Sequence, residues 1–201
     1  MSTKTDPVVR VQQFMIDHGY LPTDPTAHRK LAIYLRNRAM GQASRGLLLS
    51  GKTGVGKSFW LQTFCDQRPM YSAFQLERLW QEGRDVFYDQ MKFIGGSVVQ
   101  PHLQEVILDD VGDETGLVDY GTPIEVMKEA IALRYEMFKS LGSKTYISTN
   151  LDPEDFLTRY GARIESRMRE MFAIITFNGP DNRKSQPQKN EFAETSLQNA
   201  V

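Results

Sequence analysis

GLLLSGKTGVGKSFW, residues 46–60, decides the fold. GLLLSG (46–51) reads as a short buried strand, and a helix is predicted from about Lys57 to Asp66. Between them, residues 51–58 match G-x-x-x-x-G-K-[ST] without a mismatch, in the strand-before, helix-after context that the motif needs. Glycines let backbone N–H groups curl around an anion, and the helix start adds the positive end of its dipole. Gly51, Lys52, Thr53, Gly54, Val55, Gly56, Lys57 and Ser58 are therefore the predicted phosphate cradle. Lys57 is expected to reach the β- and γ-phosphates of ATP, and the Ser58 hydroxyl to ligate Mg²⁺.

Outward from this loop the pattern alternates strand and helix. Strands are predicted at 70–74 (MYSAF), 106–110 (VILDD), 144–150 (KTYISTN) and 172–177 (FAIITF). Helices are predicted at 75–82, from the Thr122-Pro123-Ile124-Glu125 capping box to about Leu141, and from Asp152-Pro153 onward. Alternation of this kind argues for a parallel central sheet in a three-layer α/β fold. Before it, VVRVQQFMIDH (8–18) has helical spacing, and Asp24-Pro25 opens a second helix in which Leu31, Leu35 and Ala39 recur every four residues. Residues 1–45 thus read as a short N-terminal helical extension, 46–179 as the core, and 180–201, rich in Gln, Asn, Lys and Ser, as a disordered tail.

The 201 residues include 24 basic and 25 acidic side chains, 40% apolar residues and a net charge of −1. Such proportions exclude collagen-like and largely disordered chains. The charge is segregated: residues 26–68 hold eight Lys/Arg against one Asp, whereas 85–129 hold ten Asp/Glu against two Lys. Such blocks form solvated faces or mark sites for anions and cations. The single cysteine, Cys65, reads as a buried apolar side chain in a reducing compartment, and His18, His28 and His102 have no metal-ligand spacing. No signal peptide is recognised, and no apolar run approaches the roughly 18–20 residues that span a bilayer. The expected location is cytoplasmic, with no membrane partner.

A phosphate loop needs carboxylates for its metal and for water. Asp109 and Asp110 close an apolar strand, where side chains emerge at the C-terminal edge of the sheet. Asp109 is assigned to Mg²⁺, directly or through water, and Asp110 to orienting or deprotonating the attacking water, with Glu114 as a substitute. Glu is the usual residue at the Asp110 position. Asn150 ends the strand KTYISTN and offers a neutral amide to the water or γ-phosphate, although Asn also favours turns. In RYGARIESRMR, Arg159, Arg163 and Arg167 are spaced i, i+4, i+8, which predicts one cationic helical face. That face is either solvated or presents an arginine to the γ-phosphate of a neighbouring subunit.

The strings GKTGVGKS, VILDDVGDE, YISTN and YGARIESRMRE, in this order, resemble AAA+ ATPases of the DnaC/DnaI-type helicase loaders and the IstB-like transposition ATPases over residues 46–177. The resemblance implies Walker A at Lys57 and Ser58, Walker B at Asp109 and Asp110, and sensor 1 at Asn150. It implies an arginine finger at Arg167, with Arg163 as the alternative, and matches Glu114 to an acidic residue of the LDD string. It further implies a P-loop NTPase core without a C-terminal lid domain, ATP and Mg²⁺, and a homo-oligomeric ring or spiral. Single-stranded DNA and a replicative helicase are the implied partners. The alternative is an IstB-like, ATP-gated scaffold on DNA that recruits a transposase with little turnover. Lys92, Phe93, Ile94, Gly95 and Gly96 are weak candidates for DNA contact or a plain surface loop. Arg29, Lys30, Arg36, Arg38 and Arg45 receive no assigned role.

Overall fold

The computed structural model describes residues 24–65, 68–92, 105–119 and 122–181, together with Val9, Gln13, Phe14, Ile16 and Asp17. Those five fall in helix within the stretch read as helical at 8–18; the remainder of it lies outside the described residues, as do 93–96 and 182–201.

In chain order the elements are α1 (Pro25–Ala39), β1 (Gly46–Gly51), α2 (Lys57–Phe64), β2 (Met70–Ser72), α3 (Ala73–Glu82), α4 (Arg84–Lys92) and β3 (Val106–Val111). There follow β4 (Leu117–Asp119), β5 (Thr122–Ile124), α5 (Val126–Leu141), β6 (Thr145–Thr149), α6 (Pro153–Tyr160), α7 (Ala162–Met171) and β7 (Phe172–Phe177). Five strands form one sheet in the order β2-β3-β6-β1-β7, with every neighbouring pair parallel. β4 and β5 form a separate antiparallel pair.

Alternation along the strands divides the core. Leu48, Val106, Leu108, Ile147 and Phe172 point to the face covered by α3 to α7. Leu47, Leu49, Ile107, Tyr146, Ile175 and Phe177 point to the other face, where Trp60 and Leu61 of α2 and Ala27, Leu31 and Tyr34 of α1 meet them. A parallel strand is buried on both faces, which is why GLLLSG and VIL read as unbroken apolar runs. Cys65 is buried in the second layer as expected, and burial pushes its thiol up to about 11. Arg134 of α5 is fully buried. It donates to Thr145 Oγ1, Met91 O, Ser143 Oγ and Lys144 O, tying the end of α4 to the start of β6. Burial, partly offset by Glu105, lowers its pKa to about 10.

Several boundaries differ from expectation. Asp24 caps α1 by accepting from Ala27 N, with Pro25 at the first position, as predicted. The strand predicted at 70–74 stops at Ser72, because Ser72 and Gln75 form a reciprocal capping box that starts α3 two residues early. α4 follows directly after Gly83 and was not anticipated. Its Phe87 and Met91, four residues apart, are buried. Thr122-Pro123-Ile124 does not open a helix: it pairs with β4, and α5 starts at Val126 with no side-chain cap from Glu125. The arginine-rich segment is two helices, α6 and α7, broken at Gly161.

Candidate nucleotide site

β1 lies between β6 and β7, so the loop leaving it opens beside the C-terminal ends of β6 and β3. Crevices at this edge of an open α/β sheet are where ligands bind. Gly56 precedes α2 with φ 93°, a left-handed conformation open to glycine, and α2 has no side-chain cap. A helix start without a side-chain cap favours an anion. Lys57 is 5% exposed. Its Nζ donates to Gly51 O at 2.7 Å, Lys52 O at 2.9 Å and Asn150 Oδ1 at 2.8 Å, turning the ammonium inward along its own loop.

These groups border a cleft of about 440 Å³. Thr53, Gly54, Gly56, Lys57 and Ser58 form one wall, and Asp110, Asp113 and Asn150 another. Val55 is buried beneath the loop, and Gly51 and Lys52 meet Lys57 through their carbonyls. The donor set suits a triphosphate with a divalent cation: helix N–H groups and a lysine for phosphate oxygens, a serine hydroxyl and carboxylates for the cation.

The carboxylates separate. Asp109 accepts from Ser148 Oγ and does not border the cleft, while Asp110 N donates to the same hydroxyl at 2.9 Å. Asp110 has φ 53° where the pairing of β3 with β6 is interrupted between Leu108 and Val111. That interruption turns its side chain to the cleft. Glu114 lies elsewhere: its carboxylate accepts from Gly112 N at 2.8 Å, from Arg159 Nε at 3.4 Å and from Tyr160 OH. Burial, then Glu114, raises the Tyr160 pKa well above its ordinary value, which keeps the phenol a donor. Burial opposes the charge on Arg159, but Glu114 and Tyr160 outweigh it and raise its pKa. On the other side, Glu77 of α3 accepts from Thr115 Oγ1 and Gly116 N, each at 3.0 Å. The turn after β3 is thus clamped between α3 and α6.

Asp113 is the cleft carboxylate that sequence reasoning missed. Its Oδ2 accepts from Asn150 Nδ2 at 3.3 Å. Phe59 and Gln62 of α2 also border the cleft. Arg163 is exposed on α7, and the Arg167 guanidinium lies 4.9 Å from the Tyr135 ring centroid; neither borders this cleft. Lys92 stands 5.6 Å from the Tyr88 ring centroid.

The parallel five-stranded sheet and the phosphate-loop sequence together define an α/β fold that solved replication proteins share. The crystal structure of DnaI superposes with a TM-score of 0.57 at 18% identity, covering 81% of this chain and 88% of that one. That of the DnaC helicase loader gives 0.52 at 18% identity, covering 76% and 90%. A DNA replication initiation factor gives 0.54 at 15% identity, over 75% of this chain and 46% of that one. At these identities the likeness is one of fold. No protein-family model and no curated protein matches the sequence. Among the described residues no helix is long and apolar enough to cross a membrane.

Proposed function

We propose that the chain is an oligomeric, Mg²⁺-dependent ATPase that binds single-stranded DNA and loads or remodels a replicative helicase. The observation that carries the ATPase part is the convergence of Lys57, Ser58, Asp110 and Asn150 on one cleft at an uncapped helix start. The likeness in fold to DnaI and to the DnaC helicase loader supports the replication part.

Residues 51–58 bind the phosphates, and Lys57 exchanges its loop carbonyls for phosphate oxygens. Ser58, with Asp109 directly or through water, would hold Mg²⁺, which would supply positive charge to the phosphates. Asp110 orients and deprotonates the attacking water, and Asn150 holds the water or terminal phosphate. Glu114 acts as a positioning residue, because its carboxylate is committed to Tyr160, Arg159 and Gly112. Arg167, or Arg163, serves the nucleotide of a neighbouring subunit; their location outside their own cleft supports this.

A second reading, a DNA-bound scaffold with little turnover that recruits a transposase, is favoured by Asp110 itself. Its carboxylate is one methylene shorter than the usual Glu. Steady-state hydrolysis separates the two. The loader reading predicts at least about one turnover per minute, rising with single-stranded DNA and abolished in Lys57→Ala. Mixing Arg167→Ala with Lys57→Ala subunits is expected to restore part of the rate at mixed interfaces. Slower turnover that ignores DNA favours the scaffold. Normal hydrolysis by oligomeric Arg167→Ala alone excludes the intersubunit role.

A further inference from the structure

Asp113 borders the nucleotide cleft, yet it is not among the groups proposed to handle phosphate, metal or water. The turn that carries it is held at many points. Asp113 N donates to Asp110 O at 3.1 Å, closing the turn after β3. From the side of α6, Tyr160 OH and Arg159 Nε donate to the Glu114 carboxylate, and Arg159 Nη2 donates to Glu114 O at 2.9 Å. From the side of α3, Glu77, 6% exposed, accepts from Thr115 and Gly116. Thr149 Oγ1 of β6 donates to Val111 O at 2.6 Å. The Leu151 side chain lies so close to Gly112 that a Cβ there would stand 2.7 Å from its Cγ. A carboxylate on a turn fixed from three elements keeps its place when groups around it move.

That carboxylate meets Asn150. Asp113 Oδ2 accepts from Asn150 Nδ2 at 3.3 Å, while Asn150 Oδ1 accepts from Lys57 Nζ at 2.8 Å. A side-chain amide has one accepting end and one donating end. Lys57 and Asp113 select the same orientation of it. Rotated by half a turn, the amide would set its NH₂ against the ammonium and its oxygen against the carboxylate. When Lys57 turns to phosphate oxygens, as the proposed function requires, one of these two orienting charges leaves. Asp113 remains, so Nδ2 stays with it and Oδ1 stays on the nucleotide side. An oxygen there can accept from the O–H of a water molecule, whereas it would repel the oxygens of a phosphate. Which end of the amide faces the nucleotide thus decides between water and terminal phosphate as the group that Asn150 serves.

We propose that Asp113 is a positioning residue for hydrolysis: it holds the Asn150 amide nitrogen, so that the amide oxygen faces the nucleotide and accepts from the attacking water. This role rests on the ATPase reading and deepens it.

Steady-state kinetics and calorimetric ATP binding on variants of the full chain test it. Asp113 is exposed, so its truncation should leave the melting temperature near that of the wild type. Asp113→Ala should lower kcat about tenfold, an ordinary coupling for partners in one hydrogen-bond network. ATP binding and KM should not weaken, because a negative charge leaves the cleft. Asp113→Asn, whose side-chain oxygen can still accept from Nδ2, should recover most of the rate. The double variant Asp113→Ala, Asn150→Ala should be no slower than Asn150→Ala alone, because Asp113 acts through Asn150. An unchanged kcat in Asp113→Ala overturns the role. A raised kcat overturns it as well, and shows that Asp113 draws the amide away from the phosphate. Equal losses in Asp113→Ala and Asp113→Asn, or a double variant slower by the full product of the single effects, also overturn it. Absence of hydrolysis by the wild-type chain overturns the ATPase reading and this role together; an active wild type matched by Asp113→Ala overturns the role alone.

Discussion

Asn150 joins the two charged halves of the nucleotide site. Its amide oxygen accepts from Lys57, and its amide nitrogen donates to Asp113. A carboxamide offers an acceptor to the cation and, from a separate atom, a donor to the carboxylate. Asn150→Ala is therefore expected to lower kcat by about 10²-fold, the scale of losing one polar group aimed at developing charge, while the KM for ATP changes less. Steady-state kinetics check this; a loss confined to KM would show that Asn150 serves ground-state binding alone. The loop residues were legible because their motif has a fixed spacing and context. Asp113 and Glu114 were not. Four carboxylates crowd DDVGDE, and a turn has no periodicity to say which of them face the cleft. The hydrogen bond from Gly112 N to Glu114 fixes that turn, sending Glu114 to Tyr160 and leaving Asp113 to Asn150.

At the scale of elements, apolar runs and caps were readable where local chemistry decides the outcome. FAIITF is β7 to the residue, and Asp24-Pro25 starts α1. The readings failed where a distant segment or one glycine prevails. Thr122-Pro123-Ile124-Glu125 has the chemistry of a helix start, yet its backbone pairs with β4. Arg159, Arg163 and Arg167 have helical spacing, but Gly161 at φ 82°, ψ 162° breaks the helix. Arg159 then belongs with Glu114, and Arg163 and Arg167 stay on α7. That backbone region is nearly exclusive to glycine. A Cβ at Gly161 would meet no atom within 4 Å, so substitution there tests backbone strain apart from packing. Gly161→Ala should cost about 1–3 kcal/mol in urea unfolding; no measurable change would mean that the segment re-forms as one helix.

For the whole molecule, the near-zero net charge conceals two oppositely charged blocks that the fold brings together at both ends of one sheet. At the C-terminal edge, Lys57 of the basic block shares a cleft with Asp110 and Asp113 of the acidic block. At the N-terminal edge, Arg38 and Arg68 of the first meet Glu105 of the second. Sequence displayed the blocks but not their meeting, because parallel crossovers bring distant segments side by side. The proposed ATPase requires the first of these meetings to be an ATP site. Calorimetric titration with Mg²⁺·ATP tests it most directly, comparing wild type with Lys57→Ala at matched fold and melting temperature. One site per chain in the wild type, weakened at least about tenfold in the variant, a difference of about 1.4 kcal/mol, is the predicted result. Equal binding by both chains, or none by the wild type, would contradict it.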